Sequence, residues 1–405
     1  MPGRGRERPG LIVAGGCYLE TCTVPSWRRL YGSGTRAAAA VAPLSPGTRL
    51  HAYCHRERIA DVEATMRAFG ATAELHAVDE RISFSYFHPM SRPHLHPPQP
   101  ARQPPLEVVG ETVLRFGFVE GEAVVDARRA VYDPQGGDGS VSFRANGSRA
   151  RDLAVVLNQR EAEQATGLSG PDAGHALLAT HAAQVAVIKR GCEGAWVFER
   201  GLEPVPIPAY RSERVFKIGS GDVFSAGFAL YWGERGMDAP SAADLASRGV
   251  AAFVDYHALP LPDPGELADR EPFPVGRRPG KVYLAGPFFD IAQRWLVEEA
   301  LEGLDALGVP AFSPLHEVGM GLPADETAAA DLAGLDGCAA ILALTDGADP
   351  GTVFEVGYAL GRGKPVVVLS ERGSEREFAT YQDGGCHVAT DLASALYHAA
   401  WAAMA

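Results

Sequence analysis

The 405-residue sequence predicts an α/β protein of two domains with mostly parallel sheets. Three observations predict it. Apolar strand-like runs recur, at Leu11 to Ala14, Leu153 to Leu157 and Val185 to Lys189. Each leads into glycine or polar turns and then an Ala/Leu/Glu-rich helical stretch, the alternation of βα units. The chain is also long enough for two or three domains that each bury a core. Finally, the proline-rich stretch 259–280 (LPLPDPGELADREPFPVGRRPG) reads as a linker, and a fresh strand, Lys281 to Ala285, starts a second, smaller α/β pattern after it.

Taken in order, residues 1–10 are basic and glycine-rich and read as a disordered tail, because the apolar run that follows is too short for a secretory signal. A first domain spans 11–258, the linker 259–280 and a second domain 281–405, with the boundary near residue 278. Within the first, residues 89–105 (PMSRPHLHPPQPARQPP) exclude a helix or central strand, since proline lacks the amide donor and fixes φ. A long surface loop or crossover is expected there. His88, His94 and His96 fall in or beside it and read as solvated loop residues rather than metal ligands.

No run of 18 apolar residues is present, which argues against a transmembrane helix. A net charge of −13 sets aside general affinity for nucleic acid or anionic membrane. The six cysteines are scattered without a CxxC pair, a pattern that fits a reducing cytoplasm better than a disulfide framework. The partner expected is therefore a small molecule.

Residues 219–228 read Gly219-Ser220-Gly221-Asp222-Val223-Phe224-Ser225-Ala226-Gly227-Phe228. Small residues before an Ala/Phe-rich helix would offer backbone N–H groups to an anion, such as a transferring phosphoryl group. Asp222 at the helix start is placed to take a proton from an attacking hydroxyl, although a plain helix-capping aspartate has the same pattern. The segment resembles the second signature of the PfkB/ribokinase family, usually written DTxGAGDxF. Asn158-Gln159-Arg160-Glu161 resembles that family's NxxE motif, Val187-Ile188-Lys189-Arg190-Gly191 with Gly194 the strand and turn near the nucleotide, and Asp133-Pro134-Gln135 its D-P-N strand end. The resemblance covers about 11–258. It implies a ribokinase-like fold, ATP and Mg²⁺ as cofactors, and Asp222 as base. It also implies an ATP and anion site of Gly219, Ser220, Gly221, Asn158, Glu161, Lys189, Gly191 and Gly194, with Glu161 associated with the metal.

This sequence departs from the family at its acceptor end. Phe216-Lys217-Ile218 replaces the Asp-Thr before the glycines, and Glu20 stands for the sugar-gripping aspartate. Gly32-Ser33-Gly34-Thr35-Arg36 approximates GGxxxN, so Gly34 and Arg36 join Glu20 as the implied sugar-binding residues. Clear lid strands are hard to find. Arg36 reads either as a selector of negatively charged acceptors or as an outward-facing surface arginine.

In the second domain, the string Asp349-Pro350-Gly351-Thr352-Val353-Phe354-Glu355-Val356-Gly357-Tyr358-Ala359 follows the apolar strand Ala339 to Leu344. A carboxylate at such a helix start can stabilise or capture the oxocarbenium-like state through which an N-glycosidic bond breaks. The string resembles the DxGTxxExGxA motif of nucleoside 2-deoxyribosyltransferases and related N-glycosidases. Tyr283-Leu284-Ala285-Gly286-Pro287-Phe288 and Asp331-Leu332 follow the same family over about 281–396. The resemblance implies a flavodoxin-like, Rossmann-type parallel sheet, with Glu355 as nucleophile and Tyr283 orienting it. Asp331 would bind or protonate the base, and Asp349, Gly351 and Thr352 would meet the sugar. Relatives acting on 5′-monophosphates tend to carry serine at the Asp349 position, so aspartate implies a free 5′-hydroxyl. Asp336 and Asp346 read as solvated turn residues. A neighbouring subunit commonly completes the pocket in this family, which implies a homo-oligomer through the second domain. Tyr381 to His387, however, lacks the transferase's Asn-containing tail, so hydrolysis and base exchange both stay open.

The expected protein is thus a bifunctional nucleoside-processing enzyme. The alternative is a regulatory protein in which one or both sites only bind nucleotide or nucleoside.

Overall fold

The computed structural model describes residues 10–135, 141–319 and 323–404. The tail expected at 1–10 lies, but for Gly10, outside them. The chain forms two compact units. One takes the described residues up to Tyr86 with Pro93–Ser212 and Ile218–Val275; the other takes Gly276 onward with the short segments Phe87–Arg92 and Glu213–Lys217.

Among its described residues the first unit has thirteen strands: β1 Ile12–Ala14, β2 Leu19–Cys22, β3 Trp27–Leu30, β4 Arg49–His55, β5 Thr72–Val78, β6 Ser83–Tyr86, β7 His94–His96, β8 Leu106–Phe116, β9 Ala123–Asp133, β10 Arg149–Asn158, β11 Val185–Lys189, β12 Ala195–Glu199 and β13 Val205–Ile207. Its helices are α1 Gly32–Val41, α2 Ile59–Phe69, α3 Gln159–Thr166, α4 Gly170–Thr180, α5 Ser220–Phe228 and α6 Ala239–Tyr256. Nine strands make one sheet in the order β13-β12-β11-β10-β9-β8-β1-β4-β5, parallel from β11 to β5 and antiparallel only at β12 and β13. Leu153 to Leu157 of β10 are fully buried, which is why that strand reads as an unbroken apolar run rather than an alternating one. Helices α1, α5 and α6 pack as one group, α3 and α4 as another.

Two devices bring the ends of α1 and α5 to the sheet. A Cβ on Gly34 would fall 2.5 Å from the Gly15 carbonyl oxygen, so only glycine lets α1 sit on the Gly15-Gly16 turn that ends β1. Gly219, at φ +82°, starts α5 from the left-handed region. Where the sequence showed no clear lid strands, the unit has a second sheet, ordered β3-β2-β6-β7. Proline-flanked β7 pairs only with β6, at the sheet edge, where a missing donor costs nothing. His94 and His96 are exposed on it, but His88, also expected as a solvated loop residue, is 7% exposed, with its Nε2 2.8 Å from Glu299 Oε2.

The stretch expected as a linker is different in the structure up to residue 275. Leu261, Leu267 and Phe273 are buried, the Phe273 amide donates to Ala209, and Arg248 donates to the carbonyls of Leu267 and Ala268. Proline excluded helix and strand there, but three buried apolar side chains bind the irregular chain to the first unit.

The second unit contains β14 Val282–Ala285, β15 Ala311–Phe312, β16 Ala340–Leu344, β17 Val366–Leu369 and β18 His387–Ala389. Its helices are α7 Ile291–Ala306, α8 Pro314–Glu317, α9 Ala324–Asp336, α10 Pro350–Gly361, α11 Glu375–Asp383 and α12 Leu392–Ala402. All five strands are parallel, in the order β15-β14-β16-β17-β18. That is the flavodoxin-like order, whose switch point lies between β14 and β16; ligand sites form beyond the carboxyl ends of such strands. The expected fold class, a large α/β unit followed by a smaller parallel-sheet one, is the one observed.

Two candidate active sites

In the first unit the GxGD segment places Asp222 in the first turn of α5, 7% exposed. Its two oxygens are both engaged. Arg36 pairs with Oδ2, and the Gln135 amide donates to Oδ1. The other end of the Arg36 guanidinium pairs with Glu20. Arg36 is 1% exposed and packs on Gly219, where a Cβ would lie 2.1 Å from Nε. Of the two sequence readings of Arg36, the outward-facing one is excluded. Two carboxylates neutralise the guanidinium. Burial pushes the carboxyls of both Glu20 and Asp222 up, against the pull of Arg36. Burial alone would lower Arg36, but Glu20 and Asp222 hold it above its ordinary range, so the guanidinium stays charged.

Beneath the Gly219–Gly221 turn lies a second ion pair. Lys189 Nζ is 2.9 Å from Asp133 Oδ2, which also accepts from Ser225 Oγ at 2.7 Å. The other Asp133 oxygen, Oδ1, is buried with no partner. A Cβ on Gly221 would come 3.3 Å from Lys189 Nζ, so the ammonium sits directly under the turn. This turn, with a lysine below it, suits an anionic phosphate chain. Asn158 and Glu161 form a capping box at the start of α3: Asn158 Oδ1 accepts from the Glu161 amide and Glu161 Oε2 from the Asn158 amide, each at 2.8 Å. Gly191 and Gly194 frame a short 3₁₀ turn, and a Cβ on Gly194 would strike the Ile207 carbonyl. Among the described residues, no group of three or more His, Cys, Asp or Glu could hold a metal. A magnesium ion brought with phosphates needs no such cage, only one or two carboxylates.

In the second unit, Tyr283, the second residue of β14, donates its hydroxyl to Glu355 Oε1 at 2.6 Å. Tyr283 is fully buried and stacks on Phe312, with ring centroids 5.5 Å apart. Glu355 lies one turn into α10. Gly351 and Thr352 are its second and third residues, and Asp349 is the cap. Burial pushes Glu355 up to about 7, and the charges of Asp331 and Asp349 push the same way, while the Tyr283 hydrogen bond opposes them. Burial also raises the Tyr283 phenol, so it remains a donor. Asp331, on α9, is raised by burial, and its Oδ1 is buried without a partner.

The sugar-side residues separate. Asp349 Oδ2 accepts from the Thr352 amide at 2.8 Å and from its hydroxyl at 3.0 Å. Thr352 is 2% exposed, so its hydroxyl serves this cap and is not presented to a ligand. Gly351 is exposed. Asp336 and Asp346, expected as solvated turn residues, also make contacts: Asp336 with Tyr358 and Arg362, Asp346 with Ser370 and the amides of Glu371 and Arg372.

Sequence reading missed Gln135 and Asp133 as direct partners of the phosphoryl-transfer residues. It had noted their strand end, and an acid, a proline and an amide there were the available signal. It also missed that Glu20 and Arg36, two departures from one pattern, are a complementary pair.

Residues 150–258 match the family model described as pfkB family carbohydrate kinase. Residues 282–390 match that of nucleoside 2-deoxyribosyltransferase. No curated protein matches the chain in sequence. Similar solved structures include a nucleoside kinase of Burkholderia thailandensis in complex with inosine, 18% identical, covering 64% of this chain and 95% of that one, with a TM-score of 0.47. Fructokinase from Vibrio cholerae O395, in a fructose, ADP and calcium ion bound form, is 14% identical over 63% and 97% of the two chains (TM-score 0.47). Arabidopsis thaliana ribokinase complexed with ribose and ATP is 14% identical over 64% and 97% (TM-score 0.45). At such TM-scores the likeness carries no functional weight. What the sequence shows is a match to the pfkB carbohydrate kinase model over 150–258 and to the nucleoside 2-deoxyribosyltransferase model over 282–390.

Proposed function

We propose that the second unit cleaves or exchanges the base of a (deoxy)ribonucleoside through Glu355. The observation that carries this reading is the buried Tyr283–Glu355 hydrogen bond, beside a carboxyl raised to about 7. A Glu355 oxygen attacks the anomeric carbon, and the C–N bond electrons leave with the base. Asp331, whose carboxyl burial raises above its ordinary value, would supply the proton the departing base needs. Water or a second base then displaces Glu355 from the sugar. Tyr283 fixes one carboxylate oxygen so that the other faces the sugar. The exposed Val353 and Phe354 beside Glu355 suit a second copy of the chain completing the pocket.

For the first unit the reading is phosphoryl transfer to a sugar or nucleoside hydroxyl, with Asp222 as base. ATP with Mg²⁺ would supply the phosphoryl group. Lys189 and the Gly219–Gly221 turn would hold its phosphates, and Asp133 would keep Lys189 charged: burial alone would lower the lysine, and Asp133 with Glu161 holds it above its ordinary value. The engagement of both Asp222 oxygens favours a second reading, in which this unit binds nucleotide or nucleoside without turnover. Release of free base by chromatography, beside ATP consumption across sugars and nucleosides, tests both. Base release without ATP consumption leaves the glycosyl-transfer reading and selects binding for the first unit. Loss of both overturns the enzyme reading.

A further inference from the structure

The site chemistry above uses no cysteine, yet two lie together in the first unit. We propose that Cys17 and Cys54 are a redox-active dithiol that closes to an intramolecular disulfide, with a peroxide as oxidant. Cys17 sits in the turn from β1 to β2, Cys54 near the end of β4, and their sulfurs are 3.9 Å apart. Buried cysteines often pack only as small apolar groups. This pair differs because both line a cavity of about 290 Å³, which Arg58 and Glu120 share, so a small oxidant has room to reach them. The two thiols are also unequal. The Cys17 S–H bond to Cys54 draws the Cys54 thiol down, against burial and Asp61 and with a smaller pull from Arg58; the same hydrogen bond, then burial, holds Cys17 well up. Cys54 is therefore the sulfur that reacts first.

In the first step the Cys54 thiolate attacks peroxide. An S–O bond forms, the O–O bond breaks, and hydroxide leaves. The Cys17 sulfur then attacks the Cys54 sulfenic acid. The S–S bond forms, the S–O bond breaks, and the departing hydroxide takes the Cys17 proton as water. Two electrons pass from sulfur to oxygen, and two waters result per hydrogen peroxide. Each sulfur has to move by about 1 Å to reach bonding distance. The bond ties the start of β2 to β4. Leu19 of β2 faces this cavity and its neighbour Glu20 faces Arg36, since successive strand residues alternate sides. Oxidation on one face of β2 thus constrains the residue that holds Arg36 on the other.

The test treats the full chain with stoichiometric hydrogen peroxide and maps its cysteines by mass spectrometry without reduction. The expected first product is the Cys17–Cys54 link, reversed by dithiothreitol. With Cys17→Ser, a dimedone-trapped sulfenic acid should accumulate at Cys54 instead. Because the wild-type map alone decides the matter, a variant that fails to fold does not blunt it. Oxidation of other cysteines before any Cys17–Cys54 link, or direct passage of Cys54 to the sulfinic acid, would overturn the proposal.

Discussion

Asp222 and Glu355 are both carboxylates near the start of a helix, and both are raised by burial, yet their surroundings divide them. Asp222 is met by a cation and an amide, one on each oxygen. Glu355 meets one neutral phenol, on one oxygen, and two further carboxylates act on it at longer range. A buried charge paired to a cation is held in place, because removing one partner leaves the other an uncompensated buried charge at a cost of about 3–5 kcal/mol. A buried carboxylate with a neutral partner keeps a free oxygen and titrates near neutrality. The lesson is that burial makes a carboxylate unusual, while its partner decides whether it is available to react.

The comparison is broken most easily at Glu355. Glu355→Gln should lower base release by about 10³-fold or more and leave nucleotide binding by the first unit intact. Near wild-type release would remove the nucleophile from consideration. Asp222→Asn should cost about 10²–10⁴ in phosphoryl transfer with little change in ATP affinity, because a base is lost while the phosphate-facing amides belong to the backbone. Turnover measured with saturating ATP checks this, and an unchanged rate would mean that the Arg36 contact is the carboxylate's whole role.

A smaller effect concerns the sugar's 5′ side. Asp349 should make the second unit prefer nucleosides to their 5′-monophosphates by about tenfold or more. A phosphate there sets about two charges against the carboxylate, each worth about 4 kcal/mol at 4 Å and an effective dielectric near 20 before screening. Paired kcat/KM values for a nucleoside and its monophosphate, in wild type and Asp349→Ser, read it out. Because Asp349 also caps α10, serine retains a capping oxygen and keeps the comparison clean. A wild type that favours the monophosphate would reverse the idea.

The smallest shift sharpens the role of Tyr283. Glu355 must be ionised to attack, and its carboxyl sits at about 7, so base release should rise as pH climbs through 7. The Tyr283 hydrogen bond lowers that carboxyl, so Tyr283→Phe should move the rising limb to higher pH. A profile that loses rate at every pH without moving would give Tyr283 a packing role only.

Much of this was legible in the chain. Apolar runs that must be buried on both faces predicted β10, β11, β14 and β16 within a residue or a few at each end, and the glycines before Asp222 predicted the start of α5. The small sheet escaped notice because β2, β3, β6 and β7 are three or four residues long and partly exposed, too short for a period to show. The buried part of the proline-rich stretch escaped because proline reports only which regular structures are impossible.

By itself, then, the sequence determined which carboxylates were candidates and which elements carried them, since strand burial, proline and glycine act locally along the chain. Only the tertiary structure decided what each candidate meets. Arg36 reaches Asp222 across 186 positions and Tyr283 reaches Glu355 across 72. Contacts between residues so far apart depend on how helices and strands pack, and no local pattern encodes them. Those contacts set the charge, the burial and the free oxygen on which the chemistry turns.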